Sequence, residues 1–145
     1  MAFLQLSREP VVPGQSVLAL SLHPARPRDA ESFQAPREDR SPSQVLAYDS
    51  TRLEESAAPA DVFLLSHPVD LGQSGSPVLA VSTGSAEVGP VVGLIEGRWL
   101  RPVSTSLMKK SRPSGVPGAA LPIRYAIDLL DQRGIAWQSS SAPPP

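Results

Sequence analysis

Short apolar runs, separated by turns rich in Gly, Pro and Ser, dominate the hydrophobic pattern of this chain. Their lengths, four to seven residues, are typical of β-strands. The runs lie at residues 16–22, 44–48, 62–65, 78–81 and 91–95. Short strands broken by turns favour an antiparallel barrel over alternating strand–helix units.

One segment near the C-terminus has the spacing of a helix instead. Apolar residues within 123–130 recur at i, i+3, i+4 and i+7, which places them on one helical face. Pro122 suits the first helical turn, and Gly134 suits the position just after the last turn. A short amphipathic helix is therefore predicted within residues 121–134.

Two polar stretches lie outside this pattern. Residues 24–43 contain four prolines, charges of alternating sign and few apolar residues. We expect them to form a mobile surface loop whose charges are solvated, rather than a binding patch. The composition of residues 139–145 predicts a disordered tail.

Composition and charge narrow the function classes. The chain has 145 residues and a formal net charge of −1, which fits one domain with a sizeable core. This charge favours neither nucleic acid nor an anionic membrane as a partner. No cysteine and only two histidines disfavour a metal site, and no Gly-rich phosphate loop indicates a cofactor. No apolar stretch approaches the ~20 residues of a membrane span, and no signal-peptide pattern is present, so the compartment stays open.

The most informative motif is the turn between the apolar runs 62–65 and 78–81. Residues 72–78 read Gly-Gln-Ser-Gly-Ser-Pro-Val. A serine that attacks a carbonyl needs main-chain N–H groups directed at the developing oxyanion, and small neighbours let the chain turn tightly enough to present them. The alternative is an ordinary turn, since the chain is rich in Ser, Gly and Pro.

The motif resembles the nucleophile loop of chymotrypsin-like (trypsin-fold) serine peptidases, especially the form found in bacterial and organellar members. The resemblance implies that Ser74 is the nucleophile and that the N–H groups of Gly72 and Ser74 form the oxyanion hole. It also implies an all-β fold, the antiparallel six-stranded Greek-key barrel that forms the second half of the trypsin fold, with a C-terminal helix.

The strand-like segment at residues 91–97 is similar to the family strand whose end lines the primary specificity pocket. The resemblance places Glu96, Gly97 and Arg98 beside the substrate. The alternative is an ordinary buried strand in which Gly93 marks a bulge or a close approach of another chain segment.

The N-terminus resembles the end of the first barrel. In the family, an Asp-x-Ala-x-Leu-x-Leu strand carries the catalytic aspartate, and Ala2, Leu4 and Leu6 match it. The aspartate would sit one position before Met1. We therefore expect residues 1–15 to be a remnant of that strand with the inter-barrel linker, and residues 16–138 to be the C-terminal barrel with its helix.

No residue of the chain is an evident substitute for the missing members of the triad. His23 and His67 are both predicted to be surface or loop histidines, because the family draws its base from the first barrel. Asp70 is predicted to be a solvated turn carboxylate. Gln73 stands where digestive members have an Asp that receives a new N-terminal amine, so activation of that kind is not expected.

The sequence thus predicts a trypsin-like serine endopeptidase that hydrolyses peptides through an acyl-enzyme on Ser74. Its partners would be a peptide or protein substrate and an upstream first-barrel segment that carries the histidine and aspartate. The alternative is a non-catalytic peptide-binding module that keeps the cleft. The isolated chain is expected to be inactive, so the sequence leaves open whether this chain is an enzyme by itself. It also does not determine the preferred substrate.

Overall fold

The computed structural model describes residues 4–23, 37–52, 57–70, 72–82, 88–100 and 115–139. Six strands and one helix form the fold in these residues. They are β1 (Ser16–His23), β2 (Arg37–Thr51), β3 (Ala60–Leu65), β4 (Pro77–Val81), β5 (Val88–Arg98), β6 (Gly118–Pro122) and α1 (Arg124–Gln132).

The strands close into a barrel in the order β1-β2-β3-β6-β5-β4, and β4 pairs back with β1. Every neighbouring pair is antiparallel. The chain passes from β3 across to the far side of β1, which is the long connection of a Greek key. This architecture confirms the predicted all-β barrel with a C-terminal helix. The connection between β3 and β4 contains the Gly/Ser motif.

Strand β3 is buried on both faces, and it divides the core. Phe63 and Leu65 pack into the barrel interior with side chains from the other five strands, whereas Val62 and Leu64 pack against Trp99 on the opposite face. Successive side chains of a strand point to opposite sides. A fully apolar run at residues 62–65 therefore fits a strand covered on both sides.

Helix α1 covers part of the outer surface of the barrel. Ile123 and Ile127 pack against Leu79 and Val91, and Ile127 is fully buried. Gly134 follows the last turn with a φ of +65°, as its predicted role as the helix stop requires.

Two boundary predictions are wrong, because pairing with a neighbouring strand overrides the local pattern. Pro122 ends β6 opposite Gly93 instead of opening the helix, and the Ile123 N–H still donates to Val92 at 3.0 Å. Residues 37–43, predicted as loop, belong to β2 because β1 supplies their backbone partners. The remainder of that predicted loop, 24–36, lies outside the described residues.

The segment before β1 is hydrogen-bonded to the barrel. The Ser7 N–H donates to the Val91 carbonyl at 3.1 Å, and the Leu6 N–H donates to the Gln138 carbonyl at 3.0 Å. Arg8 forms ion pairs with helix α1. The assignment of residues 1–15 to a first-barrel remnant stays a prediction. Residues 1–3 and 140–145, which include Ala2 and most of the predicted tail, lie outside the described residues.

Gly93 marks a close approach, and the pairing of β5 with β4 also shifts register beside it, so both features considered for this position occur. A β-carbon at this position would lie 2.5 Å from Cζ of Phe63 and 2.8 Å from the carbonyl oxygen of Leu121. The backbone of β6 cannot retreat without breaking its pairing with β5. Gly93 is therefore required by the packing of the Phe63 ring.

We expect Gly93→Ala to lower the free energy of unfolding by about 1–3 kcal/mol, because the added methyl group overpacks the barrel interior. Gly97→Ala in the same strand is the control, since nothing lies within 4 Å of its β-carbon position. Urea unfolding of both variants measures the difference. Equal stability of the two would contradict the role assigned to Phe63.

Candidate functional site

The Gly/Ser motif forms a tight exposed turn immediately before β4. Gly72 and Gly75 have φ values of +91° and +84°, a region that favours glycine. The Ser76 N–H donates to the Gln73 carbonyl at 3.0 Å and closes the turn. Ser74 lies between the two glycines, outside any helix or strand, and is exposed.

The turn is joined to β5 by main-chain hydrogen bonds. The Gly75 N–H donates to the Ile95 carbonyl at 2.8 Å, and the Ile95 N–H donates to the Ser76 carbonyl at 2.9 Å. The hydroxyl of Ser74 donates to the Glu96 carbonyl at 3.1 Å. Two parts of the predicted site, the serine and the end of β5, are therefore in direct contact.

The N–H groups of Gly72 and Ser74 donate to no acceptor within the described part of the chain. Space is open at the β-carbon position of Gly72, where no atom lies within 4 Å. Main-chain N–H groups that lack an acceptor are able to donate to an oxygen atom of a ligand.

The last residues of β5 line one side of the turn. Glu96 and Arg98 are exposed, and Gly97 is partly exposed. The Nε of Arg98 donates to the Val69 carbonyl at 2.7 Å, and its guanidinium lies 3.4 Å from a carboxylate oxygen of Asp70. Asp70 is a solvated carboxylate as predicted, and it is also the ion-pair partner of Arg98.

Two buried polar side chains next to the turn were not recognised as a pair from the sequence. Gln73 is 4% exposed and Ser21 is 3% exposed, and the amide nitrogen of Gln73 donates to the Ser21 hydroxyl at 3.1 Å. Ser21 follows Val17 and Ala19 at the inward-facing positions of β1. A polar residue at the third inward-facing position of this strand is the sequence feature that could have indicated a buried hydrogen bond.

His67 lies in the connection between β3 and β4, so its predicted loop position is confirmed. The residue is partly exposed, but both ring nitrogens are buried, and no hydrogen bond within the described residues reaches them. Burial lowers the pKa of the imidazole below its usual value, and the carboxylates of Asp70 and Asp39 oppose that shift. No hydrogen bond in the described residues joins the ring to Ser74. The backbone of His23 ends β1 as predicted, and its side chain lies outside the description.

Other kinds of site have no support in the described segments. No group of three or more His, Cys, Asp or Glu residues within these segments has a geometry that could hold a metal ion. No helix in the same part of the chain is long and apolar enough to cross a bilayer.

The fold also occurs in a solved bacterial structure. Rv3671c from M. tuberculosis H37Rv, crystallised as a serine-to-alanine mutant in an inactive form, matches with a TM-score of 0.57 and 16% sequence identity. The match covers 98% of this chain and 56% of that chain, so the present chain spans little more than half of its neighbour. At this identity the likeness extends to the fold alone. No protein-family model and no curated protein matches the sequence.

We expect the free energy of unfolding to fall as pH drops below about 6.5, the usual pKa of histidine. The folded pKa of His67 is below that of the unfolded chain, so the unfolded state binds more protons in this window. Well above pH 6.5 the His67 imidazole is neutral in both the folded and the unfolded chain, so it no longer lowers the stability. Urea unfolding between pH 5 and 8 measures the slope.

The matched variants are His67→Leu and His23→Leu. The first should reduce the acid-dependent loss of stability, since it removes the buried titrating ring, whereas the second should leave the contribution of His67 in place. An unchanged slope in His67→Leu would show that the imidazole does not carry the effect.

Proposed function

We propose that this chain is the second barrel of a trypsin-like serine endopeptidase, with Ser74 as its nucleophile. The main support is the geometry of one turn. An exposed serine lies between two glycines of positive φ, its hydroxyl touches the end of a strand, and the N–H groups of residues 72 and 74 are free to donate. The fold likeness to a protein crystallised as a serine-to-alanine mutant in an inactive form agrees with a functional serine.

The proposed reaction is acyl transfer. The oxygen of Ser74 attacks the carbonyl carbon of a peptide bond, and the N–H groups of Gly72 and Ser74 stabilise the negative charge on the carbonyl oxygen. Collapse of this intermediate breaks the C–N bond, releases the amine and leaves an acyl group on Ser74. Water then hydrolyses the ester and restores the hydroxyl.

A base must accept the hydroxyl proton before Ser74 can attack. In the described residues that proton is donated to the Glu96 carbonyl, which cannot act as a base at neutral pH. His67 makes no hydrogen bond with Ser74. We therefore assign the histidine and aspartate to a first-barrel segment, either upstream of this sequence or on another chain, that covers the turn.

The end of β5 is the proposed substrate-binding wall. The support is that the Glu96 carbonyl accepts a hydrogen bond from Ser74, and that Gly97 and Arg98 follow Glu96 in the same strand. An extended substrate placed along this strand would bring its scissile carbonyl to the turn. The guanidinium of Arg98 is held against Asp70 at the edge of the same region.

A second candidate function is a non-catalytic peptide-binding module. One observation favours it: no imidazole in the described segments contacts Ser74, and the hydroxyl is already used in a bond to a main-chain carbonyl. Serine without a base is a weak nucleophile at neutral pH. Such a module would keep the cleft beside β5 and bind peptides without cleaving them.

A fluorophosphonate probe distinguishes the two functions. We expect the isolated 145-residue chain to label more slowly than an intact serine peptidase by roughly 10⁴–10⁶-fold, because triad partners supply most of the acceleration. Expression together with a first-barrel segment should give rapid labelling at Ser74. Intact-mass measurement and peptide mapping identify the modified residue.

Ser74→Ala and Ser76→Ala are the matched controls, two serines of one turn. The first should abolish labelling and the second should retain it. Peptide binding at β5 with no labelling in any combination of chains would favour the non-catalytic module. Labelling at a serine other than Ser74 would contradict both the assignment of Ser74 as nucleophile and the non-catalytic module.

A further inference from the structure

Gln73 precedes the proposed nucleophile and is buried although its neighbour Ser74 is exposed. Both ends of its side-chain amide are hydrogen-bonded. The oxygen accepts from the Asp70 N–H at 2.8 Å, and the nitrogen donates to the Ser21 hydroxyl at 3.1 Å. A buried amide satisfied at both ends resists rotation, since any other orientation leaves a polar group without a partner.

The main chain of Gln73 is held in the same way. Its N–H donates to the Asp70 carbonyl at 3.2 Å, and its carbonyl accepts from the Ser76 N–H at 3.0 Å. Gln73 therefore contributes four hydrogen bonds, three within residues 70–76 and one to β1. The bond to Ser21 is the one that connects the turn to a separate strand through side chains.

Ser21 is held in the barrel, so its hydrogen bond to Gln73 restrains the position of the turn. Ser21 is paired with Asp39 of β2, and the last pair between β1 and β4, Ala19 with Val78, lies two residues before it. Ser21 itself is 3% exposed. A hydroxyl held there cannot follow the turn if the turn moves, and the hydrogen bond would then break.

We propose that Gln73 is a positioning residue, and that its hydrogen bond to Ser21 holds Ser74 and the N–H groups of the turn in their working arrangement. The inference rests on the proposed role of Ser74 as nucleophile. Neither an amide nor a serine hydroxyl titrates near neutral pH. The bond between Gln73 and Ser21 therefore holds the turn without a charge.

Amide hydrogen exchange of the full chain tests the bond independently of catalysis. Ser21→Ala removes the acceptor with little change in volume. We expect exchange at the Gly75 and Ser76 N–H groups to accelerate roughly three- to tenfold, which corresponds to the loss of one buried hydrogen bond. The amide of Val45, in the barrel wall, should be unaffected.

Two further variants separate positioning from general stability. Ser21→Thr keeps the hydroxyl and should restore slow exchange, whereas Ser16→Ala in the same strand should change nothing in the turn. Gln73→Ala should accelerate the same two amides at least as much, because it also removes the bond to the Asp70 N–H. Adding Ser21→Ala to Gln73→Ala should change little further, since the bond between the two side chains is already absent.

Labelling by the fluorophosphonate probe, with the first-barrel segment present, supplies the functional readout. Ser21→Ala should slow labelling of Ser74 by a factor similar to its effect on exchange, and Ser21→Thr should recover it. Acceleration of exchange throughout the barrel, or none in the turn, overturns the positioning role. If the exchange results hold but Ser74 never labels, the turn is still held by Gln73 and the proposed peptidase function is what fails.

Discussion

Two main-chain hydrogen bonds between the Gly/Ser turn and β5 determine where every part of the candidate site lies. They join Gly75 and Ser76 to Ile95 at 2.8 and 2.9 Å, and they continue the pairing of β4 with β5 beyond the start of β4. Because of these bonds, the exposed serine stays in contact with the end of β5.

The charges around Ser74 are arranged at the edge of the site rather than within it. Arg98 and Asp70 form an exposed pair, which water and salt screen, so the pair contributes little to stability. Burial lowers the pKa of the His67 imidazole. The side chains beneath the turn, Gln73 and Ser21, are uncharged. In the proposed reaction, the base that accepts the proton of Ser74 would come from outside the described residues.

The likeness to a solved mycobacterial protein concerns architecture. Six antiparallel strands with the same arrangement can support several functions, and function must be inferred from the residues of the site. The present chain spans 56% of that neighbour.

The local pattern of residues was enough to predict the barrel class, the strands around residues 16–22, 62–65, 78–81 and 91–95, and a turn with an exposed serine at residue 74. These features depend on a few consecutive residues: an apolar run favours a buried strand, and a glycine permits positive φ. Strand β6 and the first half of β2 were missed. Their residues form strands because a neighbouring strand offers backbone partners, and that neighbour is distant in the sequence.

The same difference between local features and contacts of distant residues applies to the candidate site. The motif at residues 72–78 indicated an exposed serine, because composition and local backbone geometry are properties of a few consecutive residues. The contact of Ser74 with Glu96, the burial of His67 and the pairing of Gln73 with Ser21 each join residues from separate elements or depend on their packing. Such contacts exist only after the barrel has closed, since closure brings β1, β5 and the turn to one end of the molecule.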